Sequence, residues 1–425
     1  MPAQSDAPVQ KGRNAMQACF LPADILLPAK GVDAGKWAVI ACDQFTSQPE
    51  YWQEAARIVG DAPSALHIVY PEVYLSEGDA RIPGIREAMA RYLSDGMLVQ
   101  RVTDGFVLVR RTTQSGERLG LVGRLDLDQY DFAPGTNAPV RATEGTILSR
   151  IPPRVRIRRG APLESPHVMM LLDDPGMTLI EPLAQKALPA LYEAELMLGG
   201  GHISGYAVEG ALAQQTAARI AQMQQESGGF FLAVGDGNHS LATAKACWEE
   251  IKPRLTPAET VVHPARFAMV ELENIHDDAL RMEPIHRVLF GCDGDDLLNE
   301  IAAFAAEKGA TLAAGPQAQE ITVVYEGKEV TLSIEGSPYN LAVGTLQAFL
   351  DWWLLSHPQA RLDYIHGEDT VRMLVAGEGA VGFLLPTPER DRLFDTIRAE
   401  GALPRKTFSL GSANEKRYYM ECRRL

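Results

Sequence analysis

The stretch FFLAVGDGNHSLATAK, residues 230–245, places a short apolar run directly before a glycine-containing turn and an alanine-rich segment. The run Phe230–Val234 predicts a buried strand, and Ser240–Ile251 predicts a helix. The turn Gly235–His239 between them contains two glycines, Gly235 and Gly237, which permit positive φ and let a ligand approach the backbone. This strand–turn–helix predicts a phosphate site, because a helix N-terminus offers free N–H groups and a partial positive charge.

The side chains of this turn add chemistry to its backbone. Asp236 can hold a metal ion or accept a proton, and His239 and Ser240 can donate hydrogen bonds to phosphate oxygens. The alternative is a plain tight turn in which Ser240 or Asn238 caps the helix. We favour a functional site, because a cap alone requires neither Asp236 nor His239.

Outward from the turn, apolar periodicity predicts alternating strands and helices with hairpins among them, which indicates an α/β fold with a mixed sheet. The predicted strands are 24–27, 37–41, 97–111, 117–126, 265–273, 320–325, 329–334, 381–385 and 406–410, and the further helices are 49–58, 84–94, 208–225, 295–308 and 391–400. Ser47 and Glu50 have the spacing of a capping box for the first of these helices. We expect a flexible leader at 1–16, an N-terminal α/β lobe at 17–255, and a C-terminal α/β lobe at 256–425 that completes the same site.

Composition limits the classes of partner. The 425 residues include 40 Lys and Arg against 55 Asp and Glu, a net charge of −15, which disfavours binding to nucleic acid. The five cysteines are widely spaced and form no CxxC pair, which argues against a disulfide scaffold or a zinc knuckle. The polar N-terminus and the lack of any apolar run near about 18 residues predict a cytoplasmic protein with no membrane partner. A small molecule is the expected partner.

Further candidates lie at the ends of other predicted elements. Asp43 follows the apolar strand 37–41, a position where α/β sheets bind ligands, and it is a candidate base or metal ligand. The alternative is an Asx-turn that ends the strand. Arginines recognise phosphate through forked hydrogen bonds, and lysine does so as a compact charge. The remaining candidates for phosphate or nucleotide binding are Glu144, Thr146, Arg150, Arg154, His286, Arg287, Lys406 and Thr407, each with a plain structural role as its alternative.

Five segments of the chain occur together in one order, and they are WAVIACDQFTSQPEYW (37–52), VGDGNHSLATAK (234–245), MEPIHRVL (282–289), LDYIHGEDTV (362–371) and LPRKTFSL (403–410). In this order they resemble the DUF1015 family of uncharacterised bacterial and archaeal proteins. The resemblance covers nearly the whole chain.

A more distant resemblance concerns the turn. Members of that family commonly carry Asp-Gly-His-His-Arg at residues 236–240, and that motif is similar to the phosphate turn of the ParB/sulfiredoxin superfamily. The superfamily includes DNA-partitioning CTPases, sulfiredoxins and free-serine kinases. The resemblance implies a two-lobed protein with a ParB/sulfiredoxin-like core, phosphate bound at Gly235–His239, and Asp236 in the chemistry. Here Asn238 replaces a His and Ser240 replaces an Arg, so an arginine from 150–158 or Lys406 would have to supply the missing forked contact.

The branches of the superfamily make different demands. Sulfiredoxin chemistry needs a Cys in the turn, where this chain has Asn238, and partition proteins need basic DNA-binding helices. The kinase branch predicts phosphoryl transfer on a small polar metabolite, with serine or phosphoserine as candidates and Mg²⁺ with a nucleotide or phosphate as cofactor. Asp236 or Asp43 would act as base or metal ligand, while Arg150, Arg154 and Lys406 would neutralise charge. The alternatives are a regulatory protein that binds a nucleotide or metabolite without turnover, and a structural protein in which the turn is only a turn.

Overall fold

The computed structural model describes residues 18–165 and 167–425, so the predicted leader at 1–16 lies outside the described residues. The strands, in chain order, are β1 Phe20–Leu21, β2 Ala23–Pro28, β3 Val39–Ile40, β4 Leu98–Thr113, β5 Gly116–Asp126, β6 Tyr130–Asp131, β7 Val140–Ala142, β8 Leu163–Glu164, β9 Met169–Leu172, β10 Ala190–Leu196, β11 Gly201–Val208, β12 Leu232–Asp236, β13 Phe267–Asn274, β14 Met282–Phe290, β15 Thr311–Leu312, β16 Gln319–Tyr325, β17 Lys328–Glu335, β18 Arg361–His366, β19 Ala380–Leu384, β20 Phe408–Leu410, β21 Tyr418–Tyr419 and β22 Arg423–Arg424. The α-helices are α1 Ala34–Trp37, α2 Pro49–Val59, α3 Ile82–Ser94, α4 Ile151–Arg158, α5 Glu181–Ala184, α6 Gly210–Glu226, α7 Asn238–Ile251, α8 Pro257–Val262, α9 Gly294–Glu307, α10 Ala342–Ser356, α11 Glu368–Leu374 and α12 Arg390–Glu400.

Two large sheets organise these elements. The first has 11 strands in the order β10-β11-β4-β5-β13-β9-β12-β7-β6, with β1 on β5 and β2 on β4. Its β13–β9, β12–β7 and β6–β7 pairs are parallel, and its other pairs are antiparallel. The second has seven strands in the order β15-β17-β16-β19-β14-β18, with β20 on β14, and all its pairs are antiparallel. The predicted α/β class with a mixed sheet is therefore confirmed.

The alternation predicted for β4 and β5 places apolar side chains on both faces of the first sheet. Val107 and Val109 join one buried cluster with α2 and α3, while Phe106 and Leu108 join another with α6 and α7. A third cluster lies between β14, β16, α9 and α10 in the second sheet. A fourth contains Leu171 of β9 and Leu410 of β20, and it therefore joins the two sheets.

The C-terminal segment from Lys416 to Arg423 is buried and belongs to two small sheets. Tyr418 pairs with Ile40 of β3 in an antiparallel arrangement, and Arg423 pairs with Glu164 of β8. This segment therefore packs against elements from the first half of the chain, next to the turn that the sequence singles out.

Several local predictions differ from the structure. Trp37 is not in a strand, because the Asp33 carboxylate accepts the N–H groups of Gly35 and Lys36 and starts α1 there. The capping box at Ser47 is wrong: the N-cap of α2 is Gln48, which makes no side-chain bond, and Pro49 begins the helix.

Strand β13 lies between β5 and β9 in the first sheet, so residues beyond 255 contribute to that sheet. The division into lobes at residue 255 stays a prediction. Within residues 18–165 and 167–425, every helix is too short or too polar to span a bilayer.

Candidate functional site

The turn after β12 places an uncapped helix N-terminus in a cavity of about 1080 Å³. Strand β12 continues through Asp236, and α7 begins at Asn238, two residues before the predicted start. The alternative of a Ser240 or Asn238 cap is wrong, because Gly237 occupies the N-cap position and no side chain caps the helix. Leu241 is the first residue of α7 whose N–H bonds back to Gly237, at 3.0 Å. The N–H groups of residues 238–240 therefore remain available at the cavity.

The two glycines of the turn have different tasks. Gly237 has φ +79°, and a Cβ there would lie 3.1 Å from Cα of Val168, so both conformation and space favour glycine. Gly235 lines the cavity, but its missing Cβ leaves room for Leu410, whose Cδ1 would be 2.7 Å away. Gly235 therefore lets the two sheets pack together beneath the turn.

Asp43 lines the same cavity and follows a strand as expected, but that strand is not part of a large sheet. Strand β3 before it belongs to the two-stranded sheet with β21, outside the large sheets. The Asp43 Oδ2 atom lies 3.5 Å from Nε2 of His167, and Gln44 donates to Oδ1 at 3.0 Å. Burial raises the pKa of Asp43, but the His167 charge and hydrogen bonds outweigh it and hold the pKa below its ordinary value. Asp43 is therefore an anion across the neutral pH range.

His167 is the centre of this group of side chains. Its Nδ1 atom lies 2.7 Å from Oη of Tyr419, and that oxygen also accepts the N–H of Cys42 at 3.1 Å. Burial lowers the pKa of His167, but attraction to Asp43, and secondarily to Asp236, leaves it above the ordinary histidine value. The imidazole is thus held in place on both nitrogens, with Asp43 on one side.

Asp236 is paired with a lysine that the sequence interpretation missed. The Nζ atom of Lys416 lies 3.0 Å from Oδ2 of Asp236, and the Lys416 side chain is only 7% exposed. Lys416 also lowers the pKa of Asp43. Asp43, His167, Asp236 and Lys416 form one group, which we call the acid–base cluster. Asp43 and Asp236 both line one cavity.

Cations surround the helix N-terminus. Arg150 and Lys406 line the cavity with exposed side chains, and within residues 18–165 and 167–425 neither makes a side-chain hydrogen bond or ion pair. Arg154 also lines the cavity, but its guanidinium bonds Glu72 at 2.9 Å and the Arg150 carbonyl at 2.7 Å. The side chains of Arg150 and Lys406 are therefore available to bind an anion, whereas that of Arg154 is already paired with Glu72.

His239 accepts the N–H of Ile147 at Nε2, at 3.3 Å. Burial lowers the pKa of His239 to about 4, and the charges of Arg154 and Arg150 act in the same direction. The unfolded chain binds this proton near pH 6.5, about the ordinary histidine value. Between about pH 6.5 and 4 the unfolded state therefore binds a proton that the folded state refuses, and stability falls as the pH falls.

We accordingly expect acidification from about pH 7 to 4.5 to destabilise the wild type more than His239→Gln. His239→Gln also removes the hydrogen bond from the Ile147 N–H, and this lowers the unfolding free energy of the variant by the same amount at both pH values. Urea unfolding of both proteins at the two pH values measures the difference. An equal loss of stability in the wild type and in His239→Gln would contradict a lowered pKa of His239 in the folded protein.

A family model described as "Protein of unknown function (DUF1015)" matches residues 26–353 of the chain. The chain belongs to the DUF1015 family. Comparison with the curated proteins gives no match.

Three solved structures are similar to this DUF1015 protein at low sequence identity. The first, a free serine kinase in complex with AMP, has a TM-score of 0.38 and 11% identity over 70% of this chain and 90% of that one. A conserved hypothetical protein from Pyrococcus furiosus has a TM-score of 0.34 and 10% identity, over 71% and 94%. SbnI with C-terminal truncation, from Staphylococcus aureus, has a TM-score of 0.38 and 8% identity, over 68% and 82%.

Four predicted site residues of this DUF1015 protein lie outside the lining of the cavity, and they are Thr146, His286, Arg287 and Thr407. His286 is buried in β14, where its Nδ1 accepts the N–H of Leu385 at 3.1 Å. The Thr407 hydroxyl donates to the Pro404 carbonyl at 2.6 Å, and the Thr146 hydroxyl is buried without a hydrogen-bond partner among the described residues. Local sequence predicts these positions, but it does not show which way a side chain points.

Glu144 lines the cavity but uses its carboxylate on the backbone. It accepts the N–H groups of Lys406 at 2.9 Å and Thr407 at 3.1 Å. A carboxylate occupied in this way does not bind phosphate, and its contribution is to the shape of the 404–407 turn.

The residues present fit Mg²⁺ only together with a ligand. Within residues 18–165 and 167–425, no group of three or more His, Cys, Asp or Glu side chains is arranged to hold a metal ion. Mg²⁺ commonly binds through one or two carboxylates plus substrate phosphates and water. Asp236 is the carboxylate of the acid–base cluster that could hold it beside a bound phosphate.

The sequence contains a local signal for His167 but none for Lys416 and Tyr419, the other cavity residues that sequence reasoning missed. His167 directly precedes the apolar run 168–172, at the N-terminal end of a strand, whereas Asp43 follows the C-terminal end of one. Lys416 and Tyr419 lie in KRYYMECRR, residues 416–424, which has no regular periodicity and joins the site only through pairing with distant strands.

Proposed function

We propose that this protein transfers a phosphoryl group between a nucleotide and the hydroxyl of a small polar metabolite, with serine as the candidate acceptor. The observation that supports it is the uncapped N-terminus of α7, which faces a cavity also lined by the side chains of Arg150 and Lys406 and by the acid–base cluster. A helix N-terminus and cations bind phosphate, and a nearby carboxylate can take a proton. Phosphoryl transfer depends mainly on such positioning and charge.

In the proposed reaction, the nucleotide phosphates lie against the N–H groups of residues 238–240, with Arg150 and Lys406 beside them. The acceptor hydroxyl oxygen forms a bond to the terminal phosphorus, and the bond from phosphorus to the bridging oxygen breaks. The hydroxyl proton passes to Asp43, and the nucleoside diphosphate leaves with the bond electrons. His167 orients the Asp43 carboxylate, and Lys416 holds Asp236.

Mg²⁺ bound with the nucleotide would supply charge neutralisation to the phosphates. In the reverse direction the same site would act on a phosphomonoester.

Binding is tested with the wild type and Gly237→Trp, because a side chain at Gly237 strains the turn and fills the space at the helix N-terminus. We expect ATP, ADP, CTP or pyrophosphate with Mg²⁺ to raise the melting temperature of the wild type but not that of Gly237→Trp. A ligand at about 100 times its Kd stabilises the folded state by about 2.7 kcal/mol. Gly327→Trp is the matched control, since Gly327 also has positive φ (+73°) but nothing within 4 Å of its Cβ position.

A shift in the wild type and in Gly327→Trp but not in Gly237→Trp supports phosphate binding at the turn. Transfer to serine, followed by ³¹P NMR, then tests catalysis. Binding without turnover on serine or phosphoserine would favour the regulatory alternative. No shift with any of these compounds would contradict the proposed function.

A further inference from the structure

The backbone at Lys406 has an unusual conformation for a residue that is not glycine. Its φ is +58°, in the left-handed region where a Cβ crowds the following carbonyl. Among the described non-glycine residues with positive φ, Lys406 alone lines the cavity. Such conformations persist only where the surrounding structure enforces them.

Two charged side chains enforce this conformation, the half-buried Glu144 through backbone N–H groups and the fully buried Arg287 through backbone carbonyls. The Glu144 carboxylate accepts the N–H groups of Lys406 and Thr407 at 2.9 and 3.1 Å. The Arg287 guanidinium donates to the carbonyls of Lys406 and Arg405, also at 2.9 and 3.1 Å. We call these four hydrogen bonds the Lys406 clamp.

The clamp joins the two large sheets. Glu144 follows β7 of the first sheet and makes a bridge to Leu403, whereas Arg287 lies within β14 of the second sheet and is fully buried. The turn that carries Lys406 is thus fixed by one residue from each sheet. Its side chain, by contrast, is exposed in the cavity without a hydrogen-bonded partner among the described residues, near enough to His239 of α7 to lower the pKa of that histidine.

We propose that Glu144 and Arg287 are positioning residues whose hydrogen bonds hold Lys406 in the left-handed conformation, so that its ammonium binds the terminal phosphate at the N-terminus of α7. This inference rests on the proposed function and assigns the phosphate contact within it. Lys406 then replaces the forked arginine contact that the turn lacks at Ser240. Without the clamp, the backbone relaxes to negative φ and the ammonium moves away from the phosphate.

The test compares Lys406→Met, Arg287→Met and the double variant, with MgATP as the probe in isothermal titration calorimetry. We expect Lys406→Met to weaken binding about tenfold, the loss of one charged phosphate contact. Arg287→Met should weaken binding by a similar factor, although its side chain does not line the cavity. The double variant should bind no more weakly than Lys406→Met, because both substitutions remove the same contact. Arg281→Met, an exposed arginine just before β14, is the matched control and should bind like the wild type.

A second measurement reports on the clamp without any ligand. Hydrogen exchange of the Lys406 and Thr407 amides should be faster in Arg287→Met, and in Glu144→Gln if Arg287→Met does not fold, than in Arg281→Met.

Unchanged MgATP affinity in Arg287→Met, or additive losses in the double variant, would overturn the inference while leaving phosphate binding intact. Unchanged amide exchange would overturn the clamp itself. No MgATP binding by the wild type would instead contradict the proposed function and, with it, the phosphate contact assigned to Lys406.

Discussion

Replacing Asp43 by asparagine is expected to lower the rate of phosphoryl transfer by roughly 10²–10⁴-fold while nucleotide affinity stays near that of the wild type. The amide has nearly the shape of the carboxylate and can still contact Gln44 and His167, but it cannot take the hydroxyl proton. The proposed phosphate contacts lie on α7, Arg150 and Lys406, which line the cavity, and the substitution leaves these groups in place. Initial rates with serine and MgATP, together with calorimetric binding of MgATP, separate the two effects.

Asp61→Asn is the matched control, because Asp61 is an exposed aspartate outside the cavity lining. Full activity in Asp43→Asn would show that another group takes the proton. Loss of nucleotide binding together with activity would place Asp43 among the ligands of the phosphate or its metal ion.

Arg423→Met is expected to reduce the free energy of unfolding by about 3 kcal/mol, because one partner of a buried ion pair is removed. The guanidinium bonds Glu164 at 2.7 Å and donates to the carbonyls of Pro264 and Phe267 at 3.0 and 2.6 Å. Glu164 keeps Arg158 as a second partner, so the cost lies at the lower end of the range for broken buried pairs. Urea unfolding measures the change.

Arg424→Met serves as the control for Arg423→Met, because Arg424 is the neighbouring arginine and its side chain is exposed. It should leave the unfolding free energy within about 0.5 kcal/mol of the wild type. Equal effects of the two substitutions would mean that the buried pair with Glu164 contributes little, and that only the strand pairing of β22 matters.

The sequence predicts the elements whose signals are local. The hairpin of β16 and β17 follows from alternation around Glu326–Lys328, and β4 with β5 follows in the same way. The strand–turn–helix at Gly235–Ser240 also follows from local pattern, although the helix begins at Asn238. In each case the residues that decide the structure are neighbours in the chain.

The rest depends on contacts between distant residues, which periodicity does not encode. The Trp37 indole donates to the carbonyl of Met420, 383 residues away. Neither segment carries a sequence pattern that predicts this contact. Lys416 reaches Asp236 only because β21 pairs with β3. Arg287 likewise looked like a phosphate ligand, and only the path of the turn at Lys406 shows that it binds backbone carbonyls.

The pairing of Tyr418 with Ile40 has a consequence for the nascent chain during synthesis. At about 5–20 residues per second, a ribosome needs roughly 20–75 s to add the residues between these two positions. During that interval β3 lacks its partner strand, and the cavity lining is incomplete without Lys416 and Tyr419. The nascent chain therefore leaves the apolar strand Val39–Ile40 unpaired, and the lining of the cavity is complete only after residue 419 has left the exit tunnel.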